Sequence, residues 1–199
     1  IYAPGLAAMR AALTRLGDVH VVAPATEQSG VGHGITFLTP LMASQVYDGN
    51  ESRGWAVEGS PADCVKLALA KLCVDENGEV YRPDLVVSGI NWGLNAGINV
   101  LYSGTVAAAT EAALHDLPAI AVSLEWEDQA RFDAAATMAT DVIAQMLERN
   151  AWRDHRLYNL NIPTVATLPE AAPALRVTRM GSTRWDAAFE ERLDPKGRR

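Results

Sequence analysis

The chain has 199 residues, a formal net charge of −7 at pH 7 and a sequence pI near 5.1, which argues against general nucleic-acid binding. Hydrophobic residues make up 49% of the chain and charged residues 21%, so a sizeable core is available and global disorder is not expected. The length suits one α/β domain, and no apolar run is long enough to predict a membrane span or a signal peptide.

The first third of the sequence predicts a helix, a strand and two extended segments. After Pro4, four apolar residues recur at helical spacing: Leu6, Met9, Leu13 and Leu16. Gly17 follows them and is expected to end this helix. DVHVVAP predicts a short buried strand with His20 inside it, and the polar, glycine-rich ATEQSGVGHG predicts a loop at its carboxyl end. ITFLTPLMASQVY and GWAVEG read as extended segments that can form a hairpin across DGNESR.

Strands and helices then alternate. SPADCVKLALAKL predicts a helix that Ser60 caps, with Asp63 completing a capping-box-like pair. Cys64 and Cys73 lie in this helix nine residues apart, so no disulfide between them is expected and a reduced, cytoplasmic setting is predicted. Strands DLVVSGIN, AIAVSL, LYNLNIP and LRVTRMG alternate with helices VAAATEAALHDL and DAAATMATDVIAQMLERN. This order predicts a mostly parallel sheet with helices on both faces.

Two loops of unusual composition follow predicted strands, ATEQSGVGHG and SGINWGLNAG. Ligands of open α/β sheets bind beyond the carboxyl ends of the strands, so Ser29 and Asn91 are predicted to be neighbours in space. Ser103, Gly104 and Thr105 precede the next helix, whose N-terminus suits phosphate. Serine and threonine at helix starts are also ordinary caps, so both interpretations stay open.

Other polar and aromatic residues of these loops have two interpretations each. Asn95 and Asn99 can be turn formers, whereas Asn91 directly follows a buried strand and can face a ligand. His33 can be an acid, a base or a substrate contact, or merely an exposed loop residue. Trp92 can stack on a base or pack on the protein. Glu27 and Glu58 are the nearest carboxylates, and serine and asparagine oxygens alone would hold a hard cation such as Mg²⁺ poorly.

No GxSxG elbow, Walker loop, GxGxxG motif or zinc-ligand spacing is present. Instead VVAPATEQSGVGHGIT, GSPADCVKLAL, PDLVVSGINWGLNAGINVLYSGTVAAATEAAL and PAIAVSL occur in that order, followed by YNLNIP and LRVTRMG. Together they resemble the SurE family, the survival-protein 5′/3′-nucleotidases. The resemblance implies a Rossmann-like three-layer α/β domain over residues 1–199. It also implies a phosphatase that depends on Mg²⁺ or Mn²⁺ and hydrolyses nucleoside 5′- and 3′-monophosphates.

The resemblance also implies roles for particular residues. Ser29 and Asn91 match metal ligands of the family, and Asn95 with the Ser103-Gly104-Thr105 step matches positions that line the phosphate site. An aspartate pair in an Asn-Asp-Asp-Gly motif should precede Ile1, and it is not in this sequence. We therefore expect that the N-terminal strand with this motif and a C-terminal extension are missing. We also expect the chain in this form to be inactive and the full-length protein to be a homo-oligomer.

Two other classes of function remain open at this point. A nucleotide- or phosphosugar-binding protein without hydrolysis would use the same helix start. A structural or oligomerisation role would use the glycine-asparagine loop as an interface.

Overall fold

The computed structural model describes residues 1–171, 173–182 and 190–198. The helices are α1 (Pro4–Leu13), α2 (Pro61–Leu67), α3 (Asn99–Tyr102), α4 (Gly104–Leu114) and α5 (Phe132–Glu148). The strands are β1 (Val22–Pro24), β2 (Ala43–Asp48), β3 (Glu51–Val57), β4 (Val86–Trp92), β5 (Ala119–Leu124) and β6 (Leu157–Ile162). A π-helical turn (Ala68–Leu72) continues α2, and 3₁₀ turns cover Ala151–Arg153 and Thr164–Thr167.

Six strands form two three-stranded sheets in the part of the chain that the structure describes. The first has the order β1-β3-β2, in which β1 runs parallel to β3, and β2 and β3 form the predicted antiparallel hairpin. The second has the order β4-β5-β6 and is parallel throughout. The predicted mostly parallel α/β fold is confirmed, but two sheets stand in place of the single sheet expected.

The β4-β5-β6 sheet is the middle layer of three. Helices α1 and α5 pack on one face, and α4, with α2 against it, packs on the other. Strand β5 is buried along its whole length, and its residues alternate between the two faces. Ile120 and Val122 join the core beneath α1 and α5, whereas Ala119 and Ala121 join the core beneath α4. Buried alanines at 107–109 bring α4 close to the sheet, as expected from its alanine-rich sequence.

Helix α2 begins with the predicted capping box. The Ser60 hydroxyl accepts from the Asp63 N–H at 3.1 Å, and the Asp63 carboxylate accepts from the Ser60 N–H at 2.8 Å. Burial raises the pKa of Asp63, but N–H donors of Thr36 and Ser60 outweigh burial and hold the pKa below its usual value. The cap therefore also fixes Thr36, in the segment that follows the ATEQSGVGHG loop.

Three local predictions from the sequence are wrong. Helix α1 ends at Leu13 rather than near Gly17, and the turn that follows leaves Leu16 exposed. Strand β1 pairs with β3 only over Val22–Pro24, so His20 lies outside the strand. Its exposed ring packs edge to face on Tyr81, with 5.4 Å between centroids.

LRVTRMG, residues 175–181, was predicted to be a strand, but it forms no strand within the described range 173–182. Its side chains are exposed, Val177 to 95%, and no neighbouring strand pairs with it. Apolar alternation alone does not make a strand, because a strand also needs backbone hydrogen-bond partners on a neighbouring strand.

Both cysteines are free, as the sequence predicted, and both are buried. Burial raises the pKa of the Cys64 thiol to about 12 and also raises that of Cys73. Among the described residues, no helix combines the length and apolar character that a membrane crossing requires.

Candidate functional site

The end of β4 meets the first turn of α4. The Thr105 hydroxyl donates to Asn91 Oδ1 at 3.4 Å, and the Asn91 amide donates to the Gly93 carbonyl at 2.6 Å. Thr105 is the second residue of the 11-residue helix α4. The structure therefore brings together two of the predicted features, the asparagine after the buried strand and the Ser-Gly-Thr step.

Ser103 is the N-cap of α4, as one of the two interpretations predicted. Its hydroxyl oxygen accepts from the Val106 N–H at 3.1 Å. The hydroxyl proton takes no part in that contact, so Ser103 can still donate to an anion in front of the helix. The first N–H groups of a helix have no acceptor within the helix, and they add partial positive charge at this point.

Gly104 has a packing role that the sequence did not reveal. A Cβ built at this buried position would lie 2.8 Å from Pro61 Cγ and 3.2 Å from Val31 Cγ2. Glycine here lets the start of α4 pack against the start of α2. Whether its backbone also approaches a phosphate, as the sequence suggested, stays a prediction.

We expect Gly104→Ala to lower the free energy of unfolding by about 1–2 kcal/mol, because the added methyl overpacks the α2–α4 contact. Chemical denaturation of both proteins measures this difference. The matched control is Gly17→Ala, since a Cβ at Gly17 meets no atom within 4 Å. Full stability of Gly104→Ala would show that the packing contact is not what requires glycine.

Asn95 is buried at the centre of a polar network at the carboxyl ends of β5 and β6. Its amide donates to the Ser123 hydroxyl at 2.9 Å, and its backbone N–H donates to Asn161 Oδ1 at 2.8 Å. Its carbonyl accepts from the amides of Asn159 and Asn161 at 2.7 and 3.1 Å. These bonds fix the loop after β4. The predicted contact between Asn95 and phosphate stays a prediction.

The partners of Asn95 were not predicted from the sequence. A serine inside the fully buried strand AIAVSL and two asparagines alternating in LYNLNIP were the available signals. Polar side chains in buried strands need hydrogen-bond partners, and residues two apart in a strand point to the same face.

Ser29 lies in the exposed loop after β1, and its hydroxyl donates to Glu27 Oε1 at 3.0 Å. Among the described residues, no hydrogen bond joins Ser29 to Asn91, so their predicted proximity stays a prediction. Beyond Ser29 the loop is attached to two helical segments. The Gly32 N–H donates to the Tyr102 carbonyl at 2.9 Å, and the Ser60 hydroxyl donates to the Gly34 carbonyl at 2.6 Å.

His33 attaches the same loop to α4 through a buried carboxylate. Its Nε2 lies 2.6 Å from Glu111 Oε2, and the Glu111 side chain is only 8% exposed. Lys66 of α2 and His115, which directly follows α4, approach Glu111 Oε1, each at 3.4 Å. His33 is therefore neither unattached nor directed at Asn91, and the geometry supports a positioning role for it.

Burial raises the pKa of Glu111, but the hydrogen bond from His33 and the charge of Lys66 outweigh burial and hold the pKa below its usual value. Glu111 is therefore ionised at neutral pH. No pattern in the sequence indicates this role, because Glu111 lies in a helix and 78 residues separate it from His33.

The described residues do not by themselves form a complete metal site. They contain no group of three or more His, Cys, Asp or Glu side chains that could hold an ion. Ser29 and Asn91 offer neutral oxygens, whereas Mg²⁺ and Mn²⁺ prefer sites that include carboxylates. Ser29 and Asn91 alone therefore do not make a favourable site for either ion.

Comparison with known proteins decides the family. The model of the family described as survival protein SurE matches residues 1–187. This chain belongs to the SurE family. It is 55% identical over 198 residues to the 5′-nucleotidase SurE of Rhodopirellula baltica, covering 100% of this chain and 75% of that protein. It is 47% identical to the 5′-nucleotidase SurE of Desulfatibacillum aliphaticivorans, covering 98% and 74% of the two chains.

The fold agrees with this membership. A crystal structure of the SurE protein from Aquifex aeolicus is similar with a TM-score of 0.77 and 35% sequence identity. The match covers 98% of this chain and 75% of the other. The resemblance drawn from the sequence motifs and the predicted SurE-like α/β fold are both confirmed.

Proposed function

We propose that this SurE-family protein is a metal-dependent 5′-nucleotidase that hydrolyses nucleoside 5′- and 3′-monophosphates to nucleoside and phosphate. Relatives named 5′-nucleotidase SurE match the chain along its whole length. The observation that carries the proposal is the contact between Asn91 and Thr105. It joins a polar strand end to the N-terminus of a long helix, which is a common way for α/β proteins to bind phosphate.

The phosphate group binds in front of α4. The Ser103 hydroxyl and the first N–H groups of the helix donate to its oxygens and stabilise the negative charge that develops on them during hydrolysis. The Thr105 hydroxyl becomes a further donor when its single proton turns from Asn91 Oδ1 to the phosphate. The Ser103 hydroxyl is already oriented, because its oxygen accepts from Val106 N–H. Donors fixed in advance cost no rearrangement when the reaction occurs.

Ser29 and Asn91 contribute neutral oxygens to a Mg²⁺ or Mn²⁺ site, and an aspartate pair supplies its charge. A bound ion of this kind polarises the phosphoryl group and lowers the pKa of a water ligand. The Ile1 ammonium donates to the Pro24 carbonyl at 2.9 Å, and Gly5 packs on the Ile90 carbonyl. Residues preceding Ile1 in a longer chain would therefore lie next to the carboxyl ends of β1 and β4.

Phosphate release from nucleoside monophosphates tests the proposal. We expect the chain extended before Ile1 by the family's strand and Asn-Asp-Asp-Gly motif to release phosphate from AMP with Mn²⁺, and excess chelator to abolish release. The chain that begins at Ile1 and an extended chain carrying Asn-Asn-Asn-Gly are the matched controls, and both should release almost none. Both controls retain Ser29 and Asn91, the neutral ligands of the proposed metal site.

No release by the folded, extended protein from any monophosphate would contradict the proposal. Binding of AMP by calorimetry without release would instead support the non-hydrolytic binding protein. The cytoplasmic location and the homo-oligomeric state stay predictions, which cell fractionation and light scattering of the extended protein test.

A further inference from the structure

Three aromatic rings form an exposed surface at the end of β4, here called the aromatic platform: Trp92, Trp126 and Phe132. The indoles of Trp92 and Trp126 are stacked, with 6.1 Å between centroids and 18° between planes. Phe132 packs its edge on Trp92 at 6.3 Å and 75°. Trp92 is 49% exposed and Trp126 is 61% exposed, so two large apolar side chains leave much of their surface in water.

The aromatic platform is built on rigid elements. Trp92 is the last residue of β4 and pairs with Leu124 of β5, and the next N–H, that of Gly93, donates to the Leu124 carbonyl at 2.7 Å. Phe132 is the first residue of α5 and packs against the core beneath α1 and α5. The Trp92 indole is therefore held in place before anything binds, which reduces the entropy lost on stacking.

The position of the aromatic platform relates it to the proposed phosphate site. Trp92 directly follows Asn91, and successive strand side chains point to opposite faces of the sheet. Asn91 contacts Thr105 of α4, whereas Trp92 contacts Phe132 of α5. Both Asn91 and Trp92 nevertheless lie at the carboxyl end of β4, the edge at which open α/β sheets bind ligands. A phosphomonoester bound in front of α4 reaches the aromatic platform if its organic group crosses this strand end.

We propose that the aromatic platform binds the nucleobase of the substrate by stacking. This inference rests on the nucleotidase function proposed above and adds the residues that recognise the organic half of the substrate. Every nucleobase has a flat π-face, and stacking on an aromatic side chain tolerates any base. The aromatic platform thus selects nucleotides over phosphosugars without base, and it discriminates little among the bases.

The test compares two substrates of the extended, Mn²⁺-loaded protein, AMP and ribose 5-phosphate. The second carries the same phosphorylated sugar without a base. We expect Trp92→Ala to raise the KM for AMP about tenfold more than the KM for ribose 5-phosphate. Trp92→Phe retains a flat ring and should recover most of the difference. Tyr47→Ala removes another exposed aromatic ring, in β2, and should leave the ratio of the two KM values as it is.

Equal changes for both substrates, or no change for either, would overturn the proposal. If Trp92→Ala does not fold, Trp126→Ala takes its place. The ratio of the KM values for AMP and ribose 5-phosphate then tests the aromatic platform in the same way. If the unaltered protein releases phosphate from no nucleoside monophosphate, the nucleotidase function is wrong. Calorimetric binding of AMP and ribose 5-phosphate to the same variants then decides the aromatic platform separately, with equal binding of the two compounds overturning it.

Discussion

Replacing Asn91 by alanine is expected to lower phosphate release from AMP by at least about 100-fold in the extended protein. The substitution removes the oxygen that accepts from Thr105 at the start of α4, which is also the proposed metal ligand. It removes the amide bond to the Gly93 carbonyl as well, so thermal unfolding must be measured alongside. Release is followed with Mn²⁺ at saturating AMP and over a range of metal concentrations.

Two further variants separate the explanations. Asn91→Asp keeps an oxygen for the metal but adds a negative charge that repels phosphate, so we expect metal binding to persist while phosphate release falls. Asn99→Ala is the matched control, because Asn99 starts α3 and its side chain has no assigned role in the site. Near-normal release by folded Asn91→Ala would remove Asn91 from the metal and phosphate site.

Features that depend on local sequence were predictable. The capping box of α2 needs only Ser60 and Asp63, three residues apart, and both of its hydrogen bonds form. AIAVSL was predicted as a strand and forms β5, and the alternation of strands and helices predicted the parallel pairing found between β4, β5 and β6. Asn91 and the Ser-Gly-Thr step were each singled out from the sequence, but the contact between Asn91 and Thr105 was not predicted. The proximity of Ser29 to Asn91, which the shared edge of strand ends does predict, stays a prediction.

Features that depend on distant partners were not predictable. LRVTRMG has the composition of a strand, but within the described range no sheet edge accepts it. Gly104 looked like a phosphate-approach residue, and its packing role appears only once Pro61 and Val31 are placed against it. The contact between His33 and Glu111 joins residues 78 positions apart, and nothing near Glu111 in sequence marks it as buried.

The loop that carries Ser29 is held to the helices by several hydrogen bonds. These bonds position Ser29 for its proposed role as a metal ligand. Gly32, His33, Gly34 and Thr36 each bond to a helical segment or to the cap of α2. Ser29 itself is exposed, and its hydroxyl donates to Glu27, which lies in the same loop. The position of Ser29 relative to Asn91 therefore depends on the hydrogen bonds that hold residues 32–36. Among these bonds, the one between His33 and Glu111 involves a charged carboxylate.

We expect Glu111→Ala to lower the free energy of unfolding by about 3 kcal/mol, the lower end for removing one member of a buried ion pair. The lower end applies because His33 and Lys66 are partly exposed and can regain water. Metal affinity and phosphate release should fall together with the stability, because the Ser29 loop loses the hydrogen bond between His33 and Glu111 of α4. Denaturant unfolding and the metal dependence of release measure the two effects, with Glu76→Ala, an exposed surface carboxylate, as the control.

The pH dependence distinguishes the charge of Glu111 from its shape. Its pKa in the folded protein lies below the usual 4.5, so ionised Glu111 adds stability above about pH 4.5. That stability is lost as the pH falls through the lower, folded-state pKa. The groups facing the carboxylate are His33, Lys66 and His115. Glu111→Gln keeps the shape without the charge, so its stability should fall less than that of the unaltered protein in this acid range. Parallel acid-unfolding curves for the two proteins would show that Glu111 acts through packing alone, and the Ser29 loop would then have no electrostatic attachment to α4.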